Sequence, residues 1–188
     1  MEIVLASASG RRRKLLSRLV RRFQVAPADV DERIGKREGF RAACVRLAVA
    51  KARKAAERHR GALVIGADTI AYLGKRNCRK TSDRRVAGGI LCGLSGKTHS
   101  VVTGVAVLYP GGRMAKYSVF SRVKIKKLDG EAIARYLKTS DWKGRAGSYD
   151  ASGKHAKLVV AGIKGEKENV AGLPLRRLRK ILKKAKLA

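Results

Sequence analysis

The chain has 188 residues, enough for one α/β domain or two small lobes, and with 45% hydrophobic residues it can bury a core, which excludes a disordered chain. Lys and Arg number 45 against 14 Asp and Glu, a formal net charge of +31 that attracts polyanions and is silent on fold. No run approaches the ~20 apolar residues of a membrane span, and the charges follow the short N-terminal apolar run, the wrong order for a signal peptide.

Residues 2–6 form a short buried strand, and 7–10 a turn with Ser9 as candidate N-cap. Residues 11–22 form a helix with Leu15, Leu16, Leu19 and Val20 on its apolar side. A second strand over 23–26 and a polar loop over 27–39 follow. Residues 40–60 read as a long helix burying Val45, Leu47, Ala48, Ala52 and Ala55, stopped by Gly61. Residues 62–73 form a central strand with Asp68 in its middle, and 74–81 a basic loop. Ser82 or Asp83 caps a helix running to Leu94. Residues 99–109 and 114–126 form a hairpin around Pro110-Gly111-Gly112. A helix over 129–138 and a strand over 157–163 come next. Leu173-Pro174 opens a last helix with Leu175, Leu178 and Leu182 on one side. Alternating strands and helices followed by a hairpin predict a mixed sheet in an α/β fold.

Scattered cysteines (Cys44, Cys78, Cys92) and histidines (His59, His99, His155) give neither a disulfide frame nor a zinc spacing, and fit a reduced, cytoplasmic chain. "GLSGKT" at 93–98 resembles the end of a phosphate-binding loop. Leu91 stands where that motif needs its first Gly, however, and the segment follows a helix instead of a strand.

Hydrolysis or hard-metal binding calls for carboxylates, and there are only 14 acids to consider. Asp68 interrupts an apolar strand, where a carboxylate is expensive without a partner. It is either a structural acceptor of backbone N–H bonds or a general base or metal ligand. Asp31-Glu32 reads as a pair of surface loop acids, or as part of a hard-cation site shared with Asp68. Lys51, taken alone, is a solvated helix lysine, and Lys80 a solvated loop lysine.

Arg11, Arg12, Arg13 and Lys14 follow a small-residue turn without a break. They form either a basic outer helix face or a clamp for an anion. Cations at a helix start oppose the dipole, while Gly10 and the serines let a phosphate approach the backbone. Arg176, Arg177, Arg179, Lys180, Lys183, Lys184 and Lys186 form a basic amphipathic surface helix that suits nucleic acid or a membrane.

"LASASGRRRKLL" (5–16) resembles the opening of the Maf (septum-formation inhibitor) family of nucleoside triphosphate pyrophosphatases. The order continues with "DE" at 31–32, "AVAKA" at 48–52, "VIGADTI" at 64–70, a lysine loop at Lys80, "LSGKTHSVVTGV" at 94–105, "GRAGSYDASG" at 144–153 and "ENVAGLPL" at 168–175. The resemblance covers nearly the whole chain. It implies one domain over 1–188, an elongated mixed sheet flanked by helices with two lobes around a cleft, as in inosine triphosphate pyrophosphatases. It further implies Mg²⁺- or Mn²⁺-dependent hydrolysis of a nucleoside triphosphate to monophosphate and pyrophosphate.

By that resemblance Asp68 is the general base, and Ser7, Arg11, Arg12, Glu32, Lys51 and Lys80 form the phosphate and metal shell, with Glu32 and Asp68 as metal ligands. Arg11, Thr69 and Ser152 occupy the positions that go with dTTP and UTP in one branch. Gly10 and Thr81 replace prolines of the family pattern, and Ser152 replaces a longer Gln that reaches further toward a base. Arg13 and Lys14 are then ordinary surface. The resemblance leaves monomer and homodimer both open. The +31 charge keeps a second function open, a non-specific nucleic-acid-binding protein on the same fold, although 5% aromatic residues supply few stacking platforms.

Overall fold

The structure is a computed structural model describing residues 1–185; Lys186 of the C-terminal basic run lies outside the described residues. The chain runs β1 (Ile3–Leu5), α1 (Gly10–Leu16), β2 (Gln24–Val25), α2 (Phe40–Ala56), β3 (Leu63–Leu73), β4 (Arg76–Asn77), α3 (Arg84–Leu94), β5 (Thr98–Leu108) and β6 (Met114–Ile125). It continues with α4 (Gly130–Leu137), a 3-10 turn (Ala146–Ser148), α5 (Ala156–Val159), β7 (Val160–Lys164), α6 (Lys167–Val170) and α7 (Leu175–Lys184). Among the described residues the strands form a seven-stranded sheet in the order β2-β1-β3-β5-β6-β7, with β4 paired to β3. β1 is parallel to β2 and β3, while β3–β4 and β6–β7 are antiparallel, so the sheet is mixed, as the sequence predicts.

The chain divides into two compact units: 1–69, 102–119 and the segment from Gly172 on the one hand, and 70–101 with 120–171 on the other. In the first, strand alternation sends side chains into two cores. Ile3, Leu5, Leu63, Ile65, Val105 and Val107 pack with Leu16 and Val20 and with Leu175, Leu178 and Leu182 of α7. Val4, Val64 and Ala106 pack with Ala48, Ala52 and Ala55 of α2. Strands covered on both faces read as continuous apolar runs, which is why 62–67 shows no alternation. The second unit packs Leu91, Leu94, Val123, Ile125, Tyr136 and Trp142 around one core. Two of its polar core groups pair within it: His99 Nε2 lies 2.9 Å from the Tyr149 hydroxyl, and Trp142 Nε1 donates to the Leu137 carbonyl at 3.2 Å.

Several boundaries differ from the sequence expectation. α1 stops at Leu16 instead of continuing to residue 22, because Ser17 Oγ back-bonds to the Lys14 carbonyl and Leu19 N donates to the Leu16 carbonyl in a tightened turn. α2 ends at Ala56, short of residue 60. The strand expected over 157–163 is a helical turn to Val159 and a strand from Val160, where pairing with β6 begins beside a register shift. The basic loop at 74–81 contains the short β4, and α6 was not anticipated. Asp83 and Asp129 cap α3 and α4 through the backbone N–H groups of Val86 and Ala132. In the "GLSGKT" segment, Ser95 Oγ donates to the Leu128 carbonyl and accepts from Leu128 N, which makes it a structural turn.

Candidate active site

Asp68 shares the parity of Val64 on β3, so its side chain points to the face that carries α2. The buried side of α2 is Ala43, Cys44, Leu47, Ala48, Lys51, Ala52 and Ala55, a helical spacing that includes the lysine. Two glycines let the α2 backbone lie directly on the sheet. A Cβ at Gly66 would stand 2.1 Å from the Ala48 carbonyl oxygen, and one at Gly104 would stand 2.3 Å from the Cys44 carbonyl group. Lys51 Nζ thereby donates to Asp68 Oδ1 at 2.6 Å and to Glu32 Oε1 at 2.5 Å. Lys51 is only 6% exposed and Asp68 3%. This corrects the solvated reading of Lys51: the helical period puts it in the buried stripe, where two carboxylates meet its charge.

The adjacent acids of the loop after β2 separate. Asp31 turns outward to Arg33, whose Nε donates to Oδ1 at 3.0 Å and Oδ2 at 2.8 Å; these bonds hold the exposed carboxyl down at about 2. Glu32 turns inward to Lys51. Arg46 of α2 pins the same loop, donating to Glu38 Oε1 at 2.7 Å, Glu38 Oε2 at 2.8 Å and the Arg33 carbonyl at 2.9 Å. Sequence reasoning missed Arg46, since the pairing of a loop acid with a helix arginine has no fixed spacing.

Thr69 points to the opposite face of β3 from Asp68, toward α1. Ser9 caps α1 by accepting from Arg12 N at 3.4 Å. The Arg12 guanidinium is buried and donates three ways: Nε to the Gly172 carbonyl at 2.8 Å, Nη1 to Ser7 Oγ at 3.0 Å and Nη2 to Thr69 Oγ1 at 3.0 Å. Thr69 Oγ1 lies 3.0 Å from Thr103 Oγ1. Burial lowers the Arg12 pKa; the Asp68 charge opposes that shift, neighbouring Arg11 adds to it, and Glu32 opposes it. Gly172 has φ +108, a backbone conformation that strains any other residue, and it lies directly against this cluster: a Cβ there would touch Thr69 Oγ1 at 3.4 Å and Arg12 Nε at 3.5 Å. Thr103 and Gly172 lie inside the motifs at 94–105 and 168–175, where nothing in the sequence distinguishes them, and only their spatial neighbours identify them. Arg11 is half-buried; Arg13 and Lys14 are exposed.

Lys80 and Ser152 lie in the second unit. Lys80 is exposed in the segment after β4. Ser152 donates through its N–H (3.0 Å) and its hydroxyl (2.9 Å) to Asp150 Oδ1, so that hydroxyl is committed to its own turn. Asp150 is buried, 3.5 Å from Arg145 Nη2, and its N–H donates to the Tyr136 hydroxyl at 3.0 Å.

The structure thus brings Asp68, Lys51 and Glu32 together, and Ser7, Thr69 and Arg12 together around the guanidinium. A carboxylate set beside an ammonium, with a second carboxylate on the same cation, can take a proton and can offer hard oxygen donors to a cation. Among the described residues no group of three or more His, Cys, Asp or Glu side chains is placed to hold a metal ion.

A family profile described as Maf-like protein matches residues 2–185. A dTTP/UTP pyrophosphatase of Hyphomonas neptunium is 42% identical over 181 residues, covering 96% of this chain and 93% of the relative. One of Myxococcus xanthus is 41% identical over 185 residues, covering 98% and 93%. One of Thermococcus gammatolerans is 41% identical over 174 residues, covering 92% and 91%. Among solved structures, a HAM1 protein from Coxiella burnetii aligns with a TM-score of 0.56 at 18% identity over 98% of this chain and 99% of that one, a likeness of fold.

Proposed function

Since the chain belongs to the family of Maf-like proteins, we propose that it hydrolyses nucleoside triphosphates, dTTP and UTP among them, to the monophosphate and pyrophosphate. The single observation that carries the chemistry is the buried Asp68 carboxylate, held at 2.6 Å by Lys51, in a chain otherwise poor in acids.

Water attacks the α-phosphorus while the Asp68 carboxylate takes its proton; the bond from that phosphorus to the bridging oxygen breaks, and pyrophosphate leaves with the electron pair. Lys51 fixes the carboxylate and adds positive charge near the developing phosphoryl charge. Arg12 uses three of its five N–H groups on Gly172, Ser7 and Thr69, leaving two for phosphate oxygens. Arg11 beside it joins the triphosphate contacts. Lys80 and Ser152 enter this reading through the resemblance alone, with Lys80 as a further phosphate cation and Ser152 toward the base.

A divalent cation, Mg²⁺ or Mn²⁺, fits the donor set: Glu32 and Asp68 converge on one Lys51 Nζ, and such ions take one or two carboxylates plus substrate phosphates. When bound, the ion supplies polarisation of phosphoryl oxygens and charge neutralisation. A cytoplasmic location fits the three free thiols.

The test is pyrophosphate release from a panel of canonical and modified nucleoside triphosphates. Cleavage of dTTP and UTP in the presence of Mg²⁺ or Mn²⁺, abolished by chelation and restored by either ion, is the expected result. No cleavage of any triphosphate with either ion contradicts the reading.

A further inference from the structure

α1 and α7 bury their leucines in one core cluster of the first unit: Leu16 from α1, and Leu175, Leu178 and Leu182 from α7. Arg12 Nε ties them at one end through the Gly172 carbonyl, just before α7 begins. Both helices therefore cover the same face of that unit, and their outer sides carry cations. Arg13 and Lys14, with Arg21 and Arg22 just beyond α1, are exposed, as are Arg176, Arg177, Arg179, Lys180, Lys183 and Lys184 on α7. No Asp or Glu occurs from residue 3 to residue 28, nor from 169 to 185. Arg176, Arg179, Lys180 and Lys183 recur at helical spacing and form a ridge about 10 Å long. Arg177 is laid over the Tyr117 ring at 4.7 Å.

We infer that this face binds the phosphate backbone of duplex nucleic acid without reading its sequence. A membrane surface fits less well. An interfacial helix needs its apolar side for the bilayer, whereas Leu175, Leu178 and Leu182 are 5%, 0% and 0% exposed, already spent on the core. Single-strand binding needs stacking aromatics, and neither helix has one. What remains is a cation array suited to charge neutralisation with counterion release. The inference does not depend on the pyrophosphatase reading and adds a second binding surface to it.

The experiment compares the full chain with two variants of equal charge loss, in binding to a short mixed-sequence DNA duplex across a salt titration. One variant carries Arg179→Gln, Lys180→Gln, Lys183→Gln and Lys184→Gln. The other carries Lys138→Gln, Lys157→Gln, Lys164→Gln and Lys167→Gln, all exposed in the second unit. Losing four phosphate contacts lowers the slope of log affinity against log salt by about 3.6 and the affinity at low salt by roughly tenfold or more. The second variant is expected to change far less. Thermal unfolding and dTTP cleavage of each variant report whether the fold is intact. If the α7 variant does not fold, Arg13→Gln, Lys14→Gln, Arg21→Gln and Arg22→Gln, on α1 and just beyond it, provide the same four-charge comparison. Equal losses in both four-site variants assign binding to total charge and overturn the inference. So does an unchanged slope in the α7 variant, or binding to phosphatidylserine vesicles at a salt concentration where duplex no longer binds. Failure of the parent chain to cleave dTTP contradicts the enzyme reading and leaves the duplex comparison intact.

Discussion

Lys51 holds two carboxylates with one ammonium, and its worth is set by Asp68, which is 3% exposed and has that ammonium at 2.6 Å. Replacing Lys51 with Ala leaves a buried carboxylate without its cation, a change that typically costs roughly 3 kcal/mol. The predicted outcome is a urea midpoint lowered accordingly and a turnover number reduced by about tenfold or more, the usual cost of a lost charge-stabilising contact. Unchanged turnover returns Lys51 to a purely structural role. At this scale the sequence was half legible. Asp68 announces itself as an acid in an apolar strand. The adjacent Asp31 and Glu32 are not separable from their order, since only the fold turns one to Arg33 and the other to Lys51. Arg12 draws its partners from residues 7, 69 and 172, a convergence no local spacing encodes.

α2 and the strands beneath it act as one piece because Gly66 and Gly104 bring backbone against backbone. A methyl at Gly66 would sit 2.1 Å from the Ala48 carbonyl oxygen, so α2 must lift, and Lys51 lifts with it. Gly66→Ala is therefore predicted to lose about 1–3 kcal/mol, the range for overpacking, and to lose turnover in the protein that remains folded. Chemical denaturation read beside turnover checks both; retained stability and turnover would show that α2 does not have to move. β1 and the first half of β3 were readable because both of their faces are covered, which makes them continuously apolar. The ends of α1 and α2 were not, because they depend on single turn bonds such as that of Ser17 Oγ to Lys14. The turn at 156–159 also escaped, because it is set by where β7 can pair with β6 rather than by its own residues.

Over the whole molecule, charge and burial set the response to pH. Burial takes His99 from its ordinary 6.5 down to about 4, a neutral imidazole bonded to the Tyr149 hydroxyl. Between these values the unfolded chain binds more protons than the folded one, so this contribution is complete above about pH 6.5 and is lost as pH falls toward 4. It amounts to on the order of 3 kcal/mol. Denaturation midpoints are predicted to fall over that window in the parent chain and to fall less in His99→Gln, which has no imidazole to charge. Equal slopes in the two would contradict the assignment. The mixed α/β class was legible from alternating elements; the bounds of the two units and the seating of α1 and α7 on one core required the packing to be seen.

Hydrolysis by this chain rests on Asp68 as the base, and Asp68→Asn tests that role in one assay. The amide keeps the shape of the carboxylate and removes its ability to take a proton. Pyrophosphate release from dTTP with Mg²⁺ should fall by about a hundredfold or more while the protein stays folded. Release at the parent rate would contradict the account.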